Sequence, residues 1–234
     1  MHLFYNPEAT SNILPLEESQ HATRVLRLRQ GDPIEITDGA GGFFGAFITK
    51  ADPNASAYEI TRQTKVPPRP YSIHLAIAPA KQMDRMEWMV EKCTEVGMDR
   101  ISFIECKTSE RKTIQLERLK KITVNAMKQS RQAWLPILDE LITFSQFINK
   151  NLASQRIIAV VDDTNPHHLS KLAKPNGDYL ILIGPEGDFS SEEIELALKN
   201  GFQKASLGSN RLRTETAGLY AVMALNILNQ KSHI

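Results

Sequence analysis

The sequence predicts an α/β fold: a parallel sheet covered by helices on both faces, placed behind a small β-rich module. Three observations predict it. From Ile73 onward, short apolar runs rich in β-branched residues alternate with helical ones, and strands that alternate with helices imply a parallel sheet. Before residue 70, period-two alternation on either side of a glycine-rich turn marks a hairpin. Between the two, Val66-Pro67-Pro68-Arg69-Pro70 suits neither a helix nor a central strand, because proline fixes φ and lacks the N–H that either needs. The proline run therefore divides a module of residues 1–70 from a domain of residues 71–234.

The elements follow in order. Leu16 to Leu28 carries one helix, Pro33 to Thr37 and Phe43 to Lys50 are strands joined through Asp38-Gly39-Ala40-Gly41-Gly42, and Tyr58 to Thr64 is a third strand. In the second domain the strands are Ile73 to Ala78, Ile101 to Glu105, Arg156 to Val161, Tyr179 to Ile183 and Ala205 to Leu207. A helix opens with capping-box spacing at Asp84-Arg85-Met86-Glu87, lines one face with Met86, Met89, Val90 and Cys93, and stops at Gly97. Thr113 to Ala133 sets Leu116, Leu119, Ile122 and Met127 against a polar face of Arg118, Lys121, Asn125, Lys128 and Gln132. Ser190-Ser191-Glu192-Glu193 opens another capped helix that ends at Asn200-Gly201, and Asn165-Pro166 starts a helix behind which His167 and His168 are surface residues. The last helix, Ala217 to Leu228, holds too many apolar residues for one buried stripe.

Composition narrows the class. At 234 residues, 41% hydrophobic and 24% charged, the chain is globular and not disordered. It lacks a run of ~18 apolar residues and a signal-peptide start, so it is expected in the cytoplasm with no membrane partner. Cys93 and Cys106 have neither CxxC spacing nor a nearby ligand pair, so no metal site is expected. Net charge is only +1, yet Lys107 to Arg131 holds eight basic residues against Glu110 and Glu117, a local balance of +6 that leaves −5 for the remainder. His21, Arg24, Arg27 and Arg29 form a second basic cluster. Such patches suit a nucleic-acid backbone, although a solvated charged face is their commoner fate.

Several chemistries are excluded by motif. The glycines from Gly39 to Gly45 miss GxGxxG spacing and lead into a strand, and neither GxxxxGK[ST] nor GxSxG occurs. Two segments remain. Tyr179 to Ile183 is wholly apolar and runs into Gly184-Pro185-Glu186-Gly187 and a capped helix; Ala205-Ser206-Leu207-Gly208 leads through Arg211-Leu212-Arg213 into Thr214-Glu215-Thr216, which opens the last helix. A tight βα loop alone accounts for the first, and surface charge for the arginines of the second. Two glycine-bearing loops at two strand ends of a parallel sheet nevertheless point to a ligand site, because ligands bind at carboxyl ends of strands and helix N-termini hold anions.

These two segments closely resemble the signature of the ribosomal RNA small subunit methyltransferase E family. The resemblance extends to Lys81 with Asp84 to Glu87, Glu91 to Gly97, Gln129-Ser130-Arg131 with Pro136, and His21 to Asp32, nearly the whole chain. It implies a PUA-like β-barrel for residues 1–70 and a SPOUT-type α/β trefoil knot for residues 71–234, threaded between about Arg156 and Leu228. It also implies a homodimer through the last helix and methylation of N3 of uridine 1498 in 16S rRNA of the small ribosomal subunit. S-adenosyl-L-methionine is the implied cofactor, held by Leu182, Ile183, Gly184, Pro185, Glu186, Gly187, Leu207, Gly208, Arg211, Leu212, Arg213 and Thr216. Two departures stand out: the chain begins His2-Leu3-Phe4-Tyr5 where relatives carry an arginine, and the common Gly-Pro-Glu-Gly-Gly reads Gly-Pro-Glu-Gly-Asp, ending at Asp188.

Methylating a ring nitrogen requires loss of its proton and in-line approach to the sulfonium methyl, with no covalent nucleophile. A carboxylate or solvent can accept the proton and an arginine can stabilise the uracil oxyanion, so the candidates are Glu186, Glu215, Arg131 and Arg213. RNA contacts are expected from Arg24, Arg27 and Arg29 and from Arg118, Lys121 and Lys128. The competing class is a non-catalytic RNA-binding module, whose decay would show as damage to the glycine loops; those loops are intact.

Overall fold

In the computed structural model, which describes residues 1–149, 153–161 and 167–230, the chain divides into two units. The first is Met1–Pro68 with Val124–Leu135; the second is Arg69–Thr123 with Pro136–Ile234. The helix α3, Leu116–Gln129, is thus shared between them.

The first unit holds a four-stranded sheet in the order β1-β2-β3-β4, from β1 (His2–Tyr5), β2 (Pro33–Thr37), β3 (Gly42–Lys50) and β4 (Ala57–Lys65). The expected hairpin is β2–β3, in register from Pro33↔Phe47 to Thr37↔Phe43. β1, which the sequence pattern does not mark as a strand, pairs parallel to β2. Phe4, Leu14, Ile34, Ile36, Phe44, Ile48 and Tyr58 form the core. The helix expected over Leu16 to Leu28 is shorter: α1 (Leu16–Gln20) widens into a π-helical turn, His21–Val25, and Arg27 takes a left-handed φ of 56° that ends it.

The glycine turn does more than reverse the chain. Gly39 and Gly41 sit at positive φ, and a Cβ on Gly41 would stand 2.7 Å from Cζ2 of Trp134. That close approach lets Gly41 N–H donate to Ala133 C=O at 2.8 Å and Leu135 N–H donate to Gly39 C=O at 2.9 Å. Glycine here seats Ala133 to Leu135 on the turn, which is why this distant segment joins the first unit.

The second unit holds a six-stranded, wholly parallel sheet in the order β10-β8-β9-β5-β6-β7. Its strands are β5 (Ser72–Ile77), β6 (Arg100–Glu105), β7 (Ile137–Thr143), β8 (Gln155–Ala159), β9 (Asp178–Ile183) and β10 (Gln203–Ala205). β9 is buried from Tyr179 to Ile183, and its side chains alternate between two cores. Tyr179, Ile181 and Ile183 join Leu75, Ile77, Met89, Val222 and Leu225; Leu180 and Leu182 join Ile104, Phe147, Phe189 and Ala197. Helices α2 (Met83–Val96) and α7 (Thr214–Gln230) supply the first core, α4 (Phe144–Ile148) and α6 (Ser191–Lys199) the second.

Local rules succeed unevenly. Ser190 and Glu193 make the expected reciprocal capping box on α6, and Gly97, at φ +100°, ends α2. At α2 the Asp84 box does not form: the N-cap is Gln82, and the Asp84 carboxylate accepts the neighbouring Arg85 N–H at 3.0 Å. α3 is shorter than Thr113 to Ala133, and β10 lies two residues earlier than the expected strand. The Asn165-Pro166 start lies outside the described residues; His168 caps the short α5 (Leu169–Leu172). Cys93 and Cys106 are free and buried, which pushes both thiols up. Among the described residues no helix is long and apolar enough to cross a membrane.

A partly buried polar relay crosses β5, β6 and β7. Arg100 grips Asp139 through two hydrogen bonds of 2.7 Å, Ser102 donates its hydroxyl proton to Asp139, and the Ser102 oxygen lies 2.8 Å from Nε2 of His74. With the hydroxyl proton so engaged, Nε2 carries the hydrogen and donates it to the Ser102 oxygen. Burial, then the Arg100 cation, lowers the His74 pKa to about 4, against an opposing pull from Asp139. A depressed histidine contributes stability that is complete above its unfolded pKa of about 6.5 and is lost as pH falls toward 4, where the unfolded chain takes a proton the folded one refuses. Urea unfolding is expected to show stability falling by ~1 kcal/mol per pH unit across that window, and His74→Asn is expected to remove this slope. Equal slopes in the two proteins would contradict the assignment.

Candidate active site

The two glycine loops meet at the carboxyl ends of β8 and β9. A cavity of about 670 Å³ there is lined by Ala159 to Val161, Ile183 to Glu186, Asp188, Ser206 to Thr214 and Ala217. The local fold explains the convergence. β8 and β9 run parallel in register Ile157↔Ile181 and Ala159↔Ile183, so their last residues emerge together. β10 flanks β8 from the other side, which brings Ser206 to Arg213 over the same edge.

Hydrogen bonds fix the lining loops. Asp188 N–H donates to Pro185 C=O at 2.9 Å, closing a turn, and the Thr214 hydroxyl donates to Gly184 C=O at 3.1 Å, tying the start of α7 to the end of β9. Ser206 Oγ accepts the Gly208 N–H at 3.1 Å. Gly208 has φ +121°, and no atom lies within 4 Å of where its Cβ would stand, so its backbone opens directly onto free space. Gly184 differs: a Cβ there would press on the Phe189 ring at 3.1 Å, so it serves packing as well as access.

A second, more open cavity of about 630 Å³ is lined by Asp84, Arg85, Trp88, Arg211, Leu212, Arg213, Glu215 and Thr216. Arg211, Leu212 and Arg213 line both cavities and form the wall between them. Glu215 is buried at the first turn of α7, with Oε1 3.8 Å from Nε of Arg85. Glu186 is exposed and accepts the Lys81 backbone N–H at 3.0 Å, while Lys81 Nζ pairs with Glu110 at 2.8 Å, raising the lysine pKa.

The structure brings together most of the expected cofactor residues. Ile183, Gly184, Pro185, Glu186, Leu207, Gly208, Arg211, Leu212 and Arg213 line the first cavity, and Thr216 the second. Leu182 is fully buried beneath, and Gly187 packs on Thr108 instead of lining the cavity. Arg131 belongs to the first unit, where its guanidinium is bonded to Glu35. Asp188, singled out in the sequence as a departure from the family's glycine, lines the first cavity too; Ala159 to Val161, Thr214 and Trp88 are not marked by the sequence, since nothing in a linear chain says which strand neighbours β9 or which helix face borders the loops.

The basic stripe on α3 does not act as one surface. Lys128 is largely buried and bonded to Glu18 at 2.5 Å, both within the first unit. A partly buried charge keeps a partner because desolvation is costly, so Lys128 is taken up by that pair. Arg118 is exposed but paired with Glu87 at 2.8 Å, and Lys121 is exposed with a partner of its own. Arg24, Arg27 and Arg29 are exposed, on and just after the π-helical turn.

Comparison with known proteins gives concordant results. Residues 67–226 match the RNA methyltransferase domain family, and residues 14–56 the RNA methyltransferase PUA domain. The ribosomal RNA small subunit methyltransferase E of Rickettsia conorii is 30% identical over 207 residues, covering 87% of this chain and 84% of the relative. The protein of the same name from Synechocystis is 29% identical, covering 92% and 72%. Among solved structures, a probable rRNA-methyltransferase from Porphyromonas gingivalis is 43% identical with a TM-score of 0.92 over 100% of both chains. A ribosomal RNA small subunit methyltransferase E from Neisseria gonorrhoeae, bound to S-adenosyl methionine, is 27% identical with a TM-score of 0.87 over 98% of both.

Proposed function

The chain belongs to the ribosomal RNA small subunit methyltransferase E family, with a SPOUT-type α/β domain behind a PUA-like domain; from that membership we propose that it methylates N3 of uridine 1498 in 16S rRNA, on the assembled small ribosomal subunit in the cytoplasm. The α/β domain is read as threaded into the family's trefoil knot. One observation carries the enzymatic reading over a purely RNA-binding one: the intact glycine loops enclose a cavity of about 670 Å³, within the ~300–1,000 Å³ of small-molecule sites. Its lining fits S-adenosylmethionine. Ala159, Val160, Ile183, Leu207, Leu212 and Ala217 offer an apolar wall to a purine, and the open backbone at Gly208 leaves room where any side chain would intrude.

When bound, S-adenosylmethionine supplies an electrophilic methyl on a sulfonium sulfur. The chain's own residues do the remainder. Arg211, Leu212 and Arg213 line both cavities, so the two adjoin at this segment, and the target uracil occupies the second cavity with N3 reaching past it toward the first. There Glu215 accepts the N3 proton, and Arg213 stabilises the charge that spreads onto the uracil oxygens. Arg85, 3.8 Å from Glu215, positions the carboxylate. Glu186 and Arg131, engaged with Lys81 and Glu35, are left out of the chemistry.

Two partners complete the reading. Arg24, Arg27 and Arg29 bind rRNA phosphates, supported by their exposure and the lack of an acid between Gln20 and Gly31. A second copy of the chain packs on α7, where Ala221, Val222 and Leu225 face the core while Tyr220, Met223 and Ile227 form an exposed apolar stripe.

Ribosomal RNA from cells lacking the gene is expected to lose 3-methyluridine by mass spectrometry, and its persistence would overturn the function; Glu215→Gln is expected to lower kcat by a factor of about 100 or more with cofactor affinity retained. Replacing Arg24 and Arg27 by Ala is expected to weaken subunit binding and flatten its log–log salt slope by roughly 0.7 to 0.9 per lost contact; an unchanged slope would assign the cluster to ordinary surface. Light scattering is expected to give twice the chain mass of 26.3 kDa, and the single-chain value would refute the dimer.

A further inference from the structure

Asp188 is one of five non-glycine residues with positive φ among those described, at +62°, and it lines the cofactor cavity. An L side chain in that conformation is uncommon, and glycine would adopt it with less strain. What the side chain gains there is a fixed carboxylate. Oδ1 accepts the Phe189 N–H at 2.7 Å, and Oδ2 accepts the Val161 N–H at 3.3 Å, across the gap between the ends of β9 and β8. The backbone of Asp188 is held as well, its N–H by Pro185 and its C=O by the Thr108 hydroxyl at 2.7 Å. Each carboxylate oxygen has two lone pairs, so one on each is left over after these bonds. Asp188 is only partly buried, which leaves the group accessible from the cavity.

On the reading that this cavity binds S-adenosylmethionine, we propose that Asp188 is a specificity residue that favours the cationic methyl donor over its neutral-sulfur product, S-adenosylhomocysteine. The two molecules share purine, ribose and amino-acid groups and differ in one methyl and one positive charge. Apolar and backbone groups do not separate them by charge, and Arg211 and Arg213 in the same lining would favour the neutral product; an oriented carboxylate favours the cationic donor. Glu186, the other acid lining the cavity among the described residues, is exposed and engaged with the Lys81 N–H. The consequence is catalytic economy: once the methyl leaves, the attraction goes with it, and the product is released more readily than the donor.

Titration calorimetry on the full-length protein tests this with S-adenosylmethionine, S-adenosylhomocysteine and sinefungin, in which an ammonium-bearing carbon replaces the sulfonium. The wild type is expected to bind the two cationic ligands more tightly than S-adenosylhomocysteine. Asp188→Asn and Asp188→Gly, the latter suited to the backbone conformation, are expected to reduce that preference roughly fivefold while leaving S-adenosylhomocysteine affinity nearly unchanged. An unchanged preference overturns the proposal. So does an equal fall for all three ligands, which would make Asp188 a scaffold for the loop. If the wild type bound none of them, the cofactor reading itself would fall, separately from the role of Asp188.

Discussion

Every loop of the site is placed by one constraint: β9 is buried on both faces and must have a hydrogen-bonded neighbour on each side. Buried backbone N–H and C=O groups that go unpaired cost as much as lost hydrogen bonds, so an apolar strand of this kind cannot lie at a sheet edge. β5 and β8 satisfy it, in registers that put Leu75 and Ile157 on either side of Ile181. All three run the same way, so their carboxyl ends open at one edge. With β10 beside β8, the loops after β8, β9 and β10 all reach the same cavity. Changing the polarity of any one of these strands would carry its loop to the opposite edge and leave the cavity without a wall.

Convergence alone does not make a binding site, because exposed loops move. Here side chains fasten them by bonding to backbone. Arg111 donates twice to Lys81 C=O, at 3.0 and 2.7 Å, Lys81 N–H donates to Glu186, and the Thr108 hydroxyl donates to Asp188 C=O. These bonds link the segments after β5, β6 and β9. None is worth much singly, since exposed polar contacts trade against water. Their effect is conformational: a loop held in its ligand-ready shape spends less entropy when it binds.

The sequence reveals the second unit's sheet well and its neighbours poorly. β5, β6, β8 and β9 are legible because parallel strands buried on both faces are nearly continuous apolar runs. β7 and β1 are not: Ile137 to Thr143 mixes exposed and half-buried positions throughout, and His2–Tyr5 is only four residues long, so neither shows an apolar run or a clean alternation. The glycine turn is legible as a hairpin, but not as the seat of Trp134, since that contact joins residues far apart in sequence. The same reason hides the fate of Lys128, which lies at helical spacing among solvated basic residues and is in fact committed to Glu18. Both loops of the site were visible as strand–glycine–helix junctions. The third wall, Ala159 to Val161, was not, because sheet order is not written in the linear chain.

The shared wall of Arg211, Leu212 and Arg213 explains why the two cavities amount to one site. These residues connect β10, which places the cofactor-side loop, to α7, which carries Glu215. A shift of this segment toward either cavity narrows one and widens the other, so the two cavities are mechanically coupled. Its two ends are anchored differently. Near Gly208 the backbone is unusual but open, whereas at Thr214 it is pinned to Gly184 and followed by buried Glu215. The pinned end therefore lies beside the group proposed to take the proton, where displacement of about an ångström costs most in rate, and the open end lies beside the cavity proposed to hold the cofactor.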